Sequence, residues 1–192
     1  MLDLGEQDIF YHYCDLWKHI ESKGVVVQYS DDPAHSHRKG YFVPDGAWNY
    51  ALTETSARRV RGPLIVICSP PRLYSGPAGA PPKPGPFRYR VDGGPVDLQD
   101  ELFTLAHEYG HCRSWRASIR SEKPFYDATT AHRIMEEPLS APLTERLHIV
   151  QEERDAWDLG RDFVPPHLQA EYGRVAAAAV SEYENTLEVW RL

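Results

Sequence analysis

Apolar residues recur at helical spacing in the first segment of the chain. Across residues 6–23, Ile9 or Phe10, Tyr13, Leu16 or Trp17, and Ile20 fall on one side of a 3.6-residue repeat, and Gly24 follows as a stop signal. This spacing predicts an N-terminal helix. Three short runs come next: residues 25–29, Gly40–Val43 and Leu64–Cys68. Each is rich in β-branched or aromatic side chains and bounded by Pro, Gly or Asp, the signature of strands in a small sheet. Between the second and third runs, Trp48, Tyr50 and Leu52 occupy alternate positions and form a candidate fourth strand.

The pattern then breaks. Residues 69–95 hold eight prolines and several glycines, a composition that cannot bury enough surface to form a regular element. We read this stretch as a long loop, either a mobile insertion or a lid over a substrate, within which residues 87–91 alternate apolar and basic side chains and could pair as an edge strand. Periodicity returns at Leu98. Asp97 suits the cap of a helix there, and Asp100 and Glu101 suit the positive end of its dipole. Residues 116–142, with prolines at 124, 138 and 142, are expected to be irregular with short helical pieces at most. A second strong helix is expected over residues 143–163, stopped by Pro165 and Pro166. The segment 167–190 carries a run from Ala176 to Ala179 and reads as a C-terminal helix. There is no internal repeat. Runs of strands followed by runs of helices give an α+β class, and 192 residues suit a single domain over 1–192, with the Pro/Gly-rich loop at about 69–97 and the terminal helix as appendages.

Composition narrows the partners. A formal net charge of -7 with no long Lys/Arg run supplies little of the positive field that nucleic acid requires. Acidic Asp3, Glu6 and Asp8 stand where an export signal would be basic, and no apolar run approaches the roughly 18–20 residues that span a bilayer. The expectation is a cytoplasmic protein with no nucleic-acid or membrane partner. Cys14, Cys68 and Cys112 are far apart, form no CxxC pair, and read as buried small apolar side chains.

The chemistry concentrates in His107-Glu108-Tyr109-Gly110-His111. Residues four apart on a helix share a face, so His107 and His111 can offer two imidazole nitrogens to one ion. Glu108 lies beside them, placed to take a proton from a water on that ion, which is the division of labour an HExxH sequence implies. Projected at about 100° per residue, Leu98, Leu102, Leu105 and Tyr109 form one apolar stripe, while the two histidines project from the opposite side. The helix is therefore expected to be a wall with core behind it and a polar site in front. Cys112 falls nearer the stripe, which argues against it as a ligand.

A catalytic zinc takes three protein ligands and keeps one position open. The leading third ligand is Glu153, which falls inside the apolar arc of the second helix formed by Ile149, Val150, Ala156, Trp157 and Phe163. A carboxylate aimed into such an arc needs a cation or a metal. Glu152, at the edge of the arc, is the alternative, and a buried salt bridge from Glu153 to Arg113, Arg116 or Arg133 is the plain structural reading. His35 and His37 read as surface decoration of a polar loop. His132, His148, Tyr126 and Tyr172 are candidates for hydrogen bonds to a ligand or to a developing oxyanion, with no spacing that selects among them.

The segments Phe103 to His111 and Glu152-Glu153-Arg154-Asp155-Ala156-Trp157 resemble those of the ImmA/IrrE type of intracellular metallopeptidase. That resemblance implies a minimal zincin-like fold: an N-terminal helix, a small and mostly antiparallel sheet, an HExxH helix and a glutamate helix. It implies His107, His111 and Glu153 as zinc ligands, Glu108 as the catalytic base, and a protein or peptide substrate, such as a regulatory protein. The chain departs from the pattern at Trp157, where relatives commonly carry an Asp or Asn able to support a ligand. Two other functions remain open on the residues alone: a non-catalytic zinc-binding sensor module, and a zinc hydrolase of a non-peptide amide.

Overall fold

The computed structural model describes residues 4–30, 39–46, 48–49, 58–59, 62–68, 98–121, 125–126 and 128–190. The chain divides into two units, Met1–Leu105 and Ala106–Leu192. The first opens with helix α1 (Leu4–Ser22), whose Tyr13, Leu16, Trp17 and Ile20 are all buried, as the periodicity required. Its end is set by Gly24 at φ +74°, where the Gly24 amide donates to Glu21 and the Val25 amide to Ile20. This is a Schellman closure, in which a left-handed glycine lets the chain satisfy the last carbonyls of the helix.

Strands β1 (Val26–Ser30), β2 (Gly40–Val43), β3 (Trp48–Asn49), β4 (Arg58–Arg59) and β5 (Leu64–Cys68) follow. β5 is central, with Leu64, Ile65, Val66 and Ile67 all buried, because a strand flanked on both edges and covered on both faces has no polar side to present. It runs parallel to β1, from Val26↔Leu64 to Ser30↔Cys68, and antiparallel to β2, from Gly40↔Ile67 to Val43↔Leu64. The expected mostly antiparallel sheet is thus a mixed one. Apolar alternation encodes which face of a strand is buried and not which way its neighbour runs, so direction was open until the strands paired. The candidate fourth strand is real in part: Trp48–Asn49 pairs with Arg58–Arg59 as a separate two-stranded sheet, while Tyr50 and Leu52 lie outside the described residues. So do residues 69–97, including the Pro/Gly-rich loop, its candidate edge strand and the Asp97 cap.

Helix α2 (Leu98–Ser121) runs six residues beyond the point at which irregular chain was expected. Residues 116–121 contain neither Gly nor Pro, and Ser118 and Ser121 turn their hydroxyls back onto the Trp115 and Ala117 carbonyls, so nothing local stops the helix. The second unit continues with α3 (Ala128–Glu136), a 3-10 turn at Pro138–Ser140, α4 (Leu143–Gly160), a 3-10 turn at Arg161–Phe163, another at Pro166–Leu168, and α5 (Gln169–Thr186). The described residues thus make an α+β fold. Its second core joins Ile134 of α3, Ile149 and Val150 of α4, and Leu187 after α5. The buried Arg146 closes that end, donating from one guanidinium nitrogen to the Leu187 and Glu188 carbonyls. Among the described residues, no helix is long and apolar enough to cross a membrane.

Two glycines set the approach of α4 to the second half of α2. A Cβ on Gly110 would overlap the Ala156 carbonyl oxygen and lie 2.7 Å from its carbon, and a Cβ on Gly160 would lie 2.6 Å from the Ala106 carbonyl oxygen and overlap the Tyr172 hydroxyl. Ala106 thus faces Gly160 and Gly110 faces Ala156, an antiparallel crossing through small residues spaced four apart on each helix. Backbone against backbone cannot yield as a flexible side chain can. Gly110→Ala and Gly160→Ala should each cost about 3 kcal/mol or more, the top of the overpacking range. Gly173→Ala, whose new Cβ meets only the Arg161 guanidinium at 3.5 Å, should be neutral or stabilise by up to about 1 kcal/mol. Urea unfolding of the three variants measures the contrast.

Candidate metal centre

The antiparallel crossing that opposes Ala106 and Gly110 to Gly160 and Ala156 also opposes the adjoining pair His107 and His111 to Trp157 and Glu153. The His107 Nε2 lies 3.1 Å from Glu153 Oε1, the His111 Nε2 lies 3.3 Å from Glu153 Oε2, and the two Nε2 atoms are 3.2 Å apart. These three side chains are the group with metal-ligating geometry among the described residues. The separations fit an ion. With metal–nitrogen and metal–oxygen distances near 2.0–2.2 Å, neighbouring ligands of a tetrahedral zinc stand about 3.3 Å apart. Two imidazole nitrogens facing each other at 3.2 Å, with a carboxylate across from both, form a donor set suited to zinc or a similar borderline metal.

Burial controls access and charge. The Glu153, His107 and His111 side chains are 7%, 10% and 19% exposed, so the cluster is largely shielded from water. Burial alone would push the His111 imidazole down, but the hydrogen bond and charge of Glu153, aided by Glu108 and Glu152, outweigh it and hold the group up at about 9. Burial likewise opposes the Glu153 carboxylate, and His107 and His111 together overcome it, keeping that carboxyl well below the usual range. The site is a charge-matched set even as bare side chains.

The polar side of the helix is buried as well as the apolar one. All residues from Glu101 to Gly110 are buried, so this part of α2 has no solvent face, and the histidines project against α4. Tyr109, Leu102 and Leu105 are buried on the opposite side, as the projection indicated. Glu108 is 5% exposed and close enough to His111 to act on its charge. Cys112 is fully buried and outside the cluster, its thiol pushed up to about 11 by burial.

Glu152 and Glu153, neighbours in sequence, have separate partners. Glu152 accepts the Tyr126 backbone N–H on both oxygens, at 3.2 and 3.1 Å, and pairs with His148 at 3.0 Å, which ties the segment after α2 to α4. Burial raises its carboxyl, and the Tyr126 N–H and His148 oppose that rise. Among the described residues Glu153 pairs with His107 and His111, and no ion pair joins it to Arg113, Arg116 or Arg133. Arg113 donates to the Leu159 carbonyl and to Asp162, capping the end of α4 and covering Phe163. His132 is half exposed and pairs with Glu136, away from the cluster, while His35 and His37 lie outside the described residues.

Two residues named in the sequence for other reasons, Trp157 as part of the apolar arc and Tyr172 as a hydrogen-bonding candidate, pack beside the cluster. Trp157 stacks on His107 with ring centroids 4.2 Å apart and planes at 26°, and Tyr172 of α5 packs against Trp157 at 5.0 Å. The signal was available in the spacing: Trp157 stands four residues after Glu153, hence on the same face of α4. The small pairs Ala106/Gly110 and Ala156/Gly160, also four apart, marked the crossing in the same way.

Two measurements test the geometry. Glu153→Gln should abolish stoichiometric zinc uptake, whereas Glu152→Gln should keep it and lower only stability, by about 1–3 kcal/mol; elemental analysis and urea melts separate the two. For chelator-treated protein the stability should depend on pH in a stated direction. His111, raised from its ordinary 6.5 to about 9, stabilises fully below pH 6.5 and ceases to do so as pH rises through 9. Glu153, depressed from its ordinary 4.5, stabilises above that pH and ceases to do so as pH falls. Urea midpoints of the chelated protein should therefore peak between about pH 5 and 7 and decline toward pH 9 and above.

Against known proteins, no family model, no curated protein and no solved structure matches this chain, and the residues themselves carry the assignment.

Proposed function

We propose that this chain is a zinc-dependent peptidase of the kind its HExxH and glutamate motifs resemble, with zinc held by His107, His111 and Glu153 and Glu108 as catalytic base. The observation that carries this reading is the convergence of the two Nε2 atoms and the Glu153 carboxylate at 3.1 to 3.3 Å. Zinc bound there would polarise a scissile carbonyl and make a water acidic near neutral pH. The rest falls to the protein. Glu108, next to His107 on the same helix, accepts the proton of the attacking water and returns it to the leaving amine. Glu108 is buried on the same helix turn as His107, beside the three candidate ligands.

The donor count favours catalysis over a sensing role. Among the described residues the group has three members, and Glu152, a further carboxylate close to His111, is engaged by Tyr126 and His148. Three protein ligands leave a position for water and substrate, whereas a structural or sensing site closes with four. A cytoplasmic location is part of the proposal, supported by three cysteines that are free thiols in the structure.

Glu108→Gln should retain zinc at wild-type stoichiometry and lose about 10^3-fold or more in hydrolysis of a mixed peptide library read by mass spectrometry. A pure, zinc-loaded Glu108→Gln protein with wild-type cleavage would refute the base assignment. Wild-type protein that binds zinc and cleaves small amides but no peptide would move the reading to a non-peptide hydrolase.

A further inference from the structure

Each imidazole in a two-histidine site has a second nitrogen whose environment fixes the ring. A ligand imidazole that binds through Nε2 carries its proton on Nδ1, and an acceptor for that proton normally locks the ring and enriches it in electrons. At His107 there is none: Nδ1 is buried and has no hydrogen-bond partner among the described residues. The orientation of this ring must come from something other than a hydrogen bond.

We propose that Trp157 is the positioning residue of the centre, its indole serving as the plate that holds the His107 ring in ligating orientation in place of an acceptor on Nδ1. This rests on the metal-site reading above. The planes of the two rings lie 26° apart with centroids at 4.2 Å, a stacked arrangement that resists rotation of the imidazole about its Cβ–Cγ bond. The plate is itself backed. Tyr172, fully buried on α5, meets Trp157 at 5.0 Å with planes at 60°, so the indole is held between α5 and the ligand. The indole is also costly where it stands, since its Nε1 is buried without a hydrogen-bond partner among the described residues, a penalty that Leu or Phe would not incur. What the larger residue contributes is flat area against His107.

The consequence is chemical as well as mechanical. With no acceptor on Nδ1, His107 is a poorer electron donor than a carboxylate-supported imidazole, which leaves a bound metal the stronger Lewis acid but holds it less tightly. Glu153 and Trp157, four residues apart, make α4 the single element that supplies one ligand and orients another. Through Tyr172, α5 joins the same stack.

Zinc and cobalt(II) titrations of the full chain test this, with Trp157→Leu and Trp157→Phe beside the wild type. Trp157→Leu should weaken zinc about 10- to 100-fold and alter the visible cobalt bands, while Trp157→Phe, which retains a stacking face, should stay within about threefold of wild type. Urea melts of the chelated proteins identify a purely structural effect, which would lower stability and leave affinity and spectrum unchanged. A folded Trp157→Leu protein with wild-type affinity and cobalt bands overturns the proposal. Should that variant fail to fold, the emission of wild type minus Trp157→Phe still decides: it must change on adding zinc, and a difference emission indifferent to zinc overturns it. Wild-type protein that takes up neither metal would instead remove the centre itself.

Discussion

The second unit depends on how closely two helices can lie. Gly110 on α2 meets the Ala156 backbone, and Gly160 on α4 meets the Ala106 carbonyl, in an antiparallel crossing that leaves no room for a Cβ at either glycine. Helix axes usually stand 8–10 Å apart at a distance set by the side chains between them. Here glycine and alanine stand at the contact, and the backbones approach to where a Cβ at either glycine would overlap the facing chain. In the same crossing the short Glu153 carboxylate lies 3.1 and 3.3 Å from two imidazoles on the facing helix. The Gly at the fourth position of HEYGH is therefore a packing residue within a chemical motif.

Charge makes the crossing tolerable. A carboxylate at 7% exposure between helices would ordinarily be expelled or neutralised. Glu153 is retained because His107 and His111 face it, and the same field holds His111 charged well above its ordinary range. Side chains that satisfy one another in this way arrive at a metal already converged, so binding need not gather them from separate rotamers. Glu152, one residue away, is spent on a different task, tethering Tyr126 and His148. Adjacent carboxylates about 100° apart on a helix meet different neighbours, and this is what separates their roles.

Much of this was legible in the residues before any fold was known. The periodicity of α1, the apolar run of β5, and the spacing of His107, Glu108 and His111 are local properties, and each is found where the pattern put it. Projection of α4 separates Glu153 from Glu152, and although both are buried, the first stands with the two histidines and the second with Tyr126 and His148. Less was legible where neighbours decide. Helix α2 continues past Arg116 to Ser121 although prolines follow it in the chain, and the parallel pairing of β1 with β5 leaves no mark on either strand alone.

Sequence by itself determined what each helix could present: imidazoles four apart on one, a carboxylate and an indole four apart on the other, small residues four apart on both. Helical periodicity is a property of a single segment, so these sets need no partner to exist. The tertiary structure alone decided that the sets face each other in antiparallel register, that the histidine side is buried against α4, and that Trp157 lies flat on His107. Those outcomes depend on which surfaces exclude water together, and that choice is made between segments.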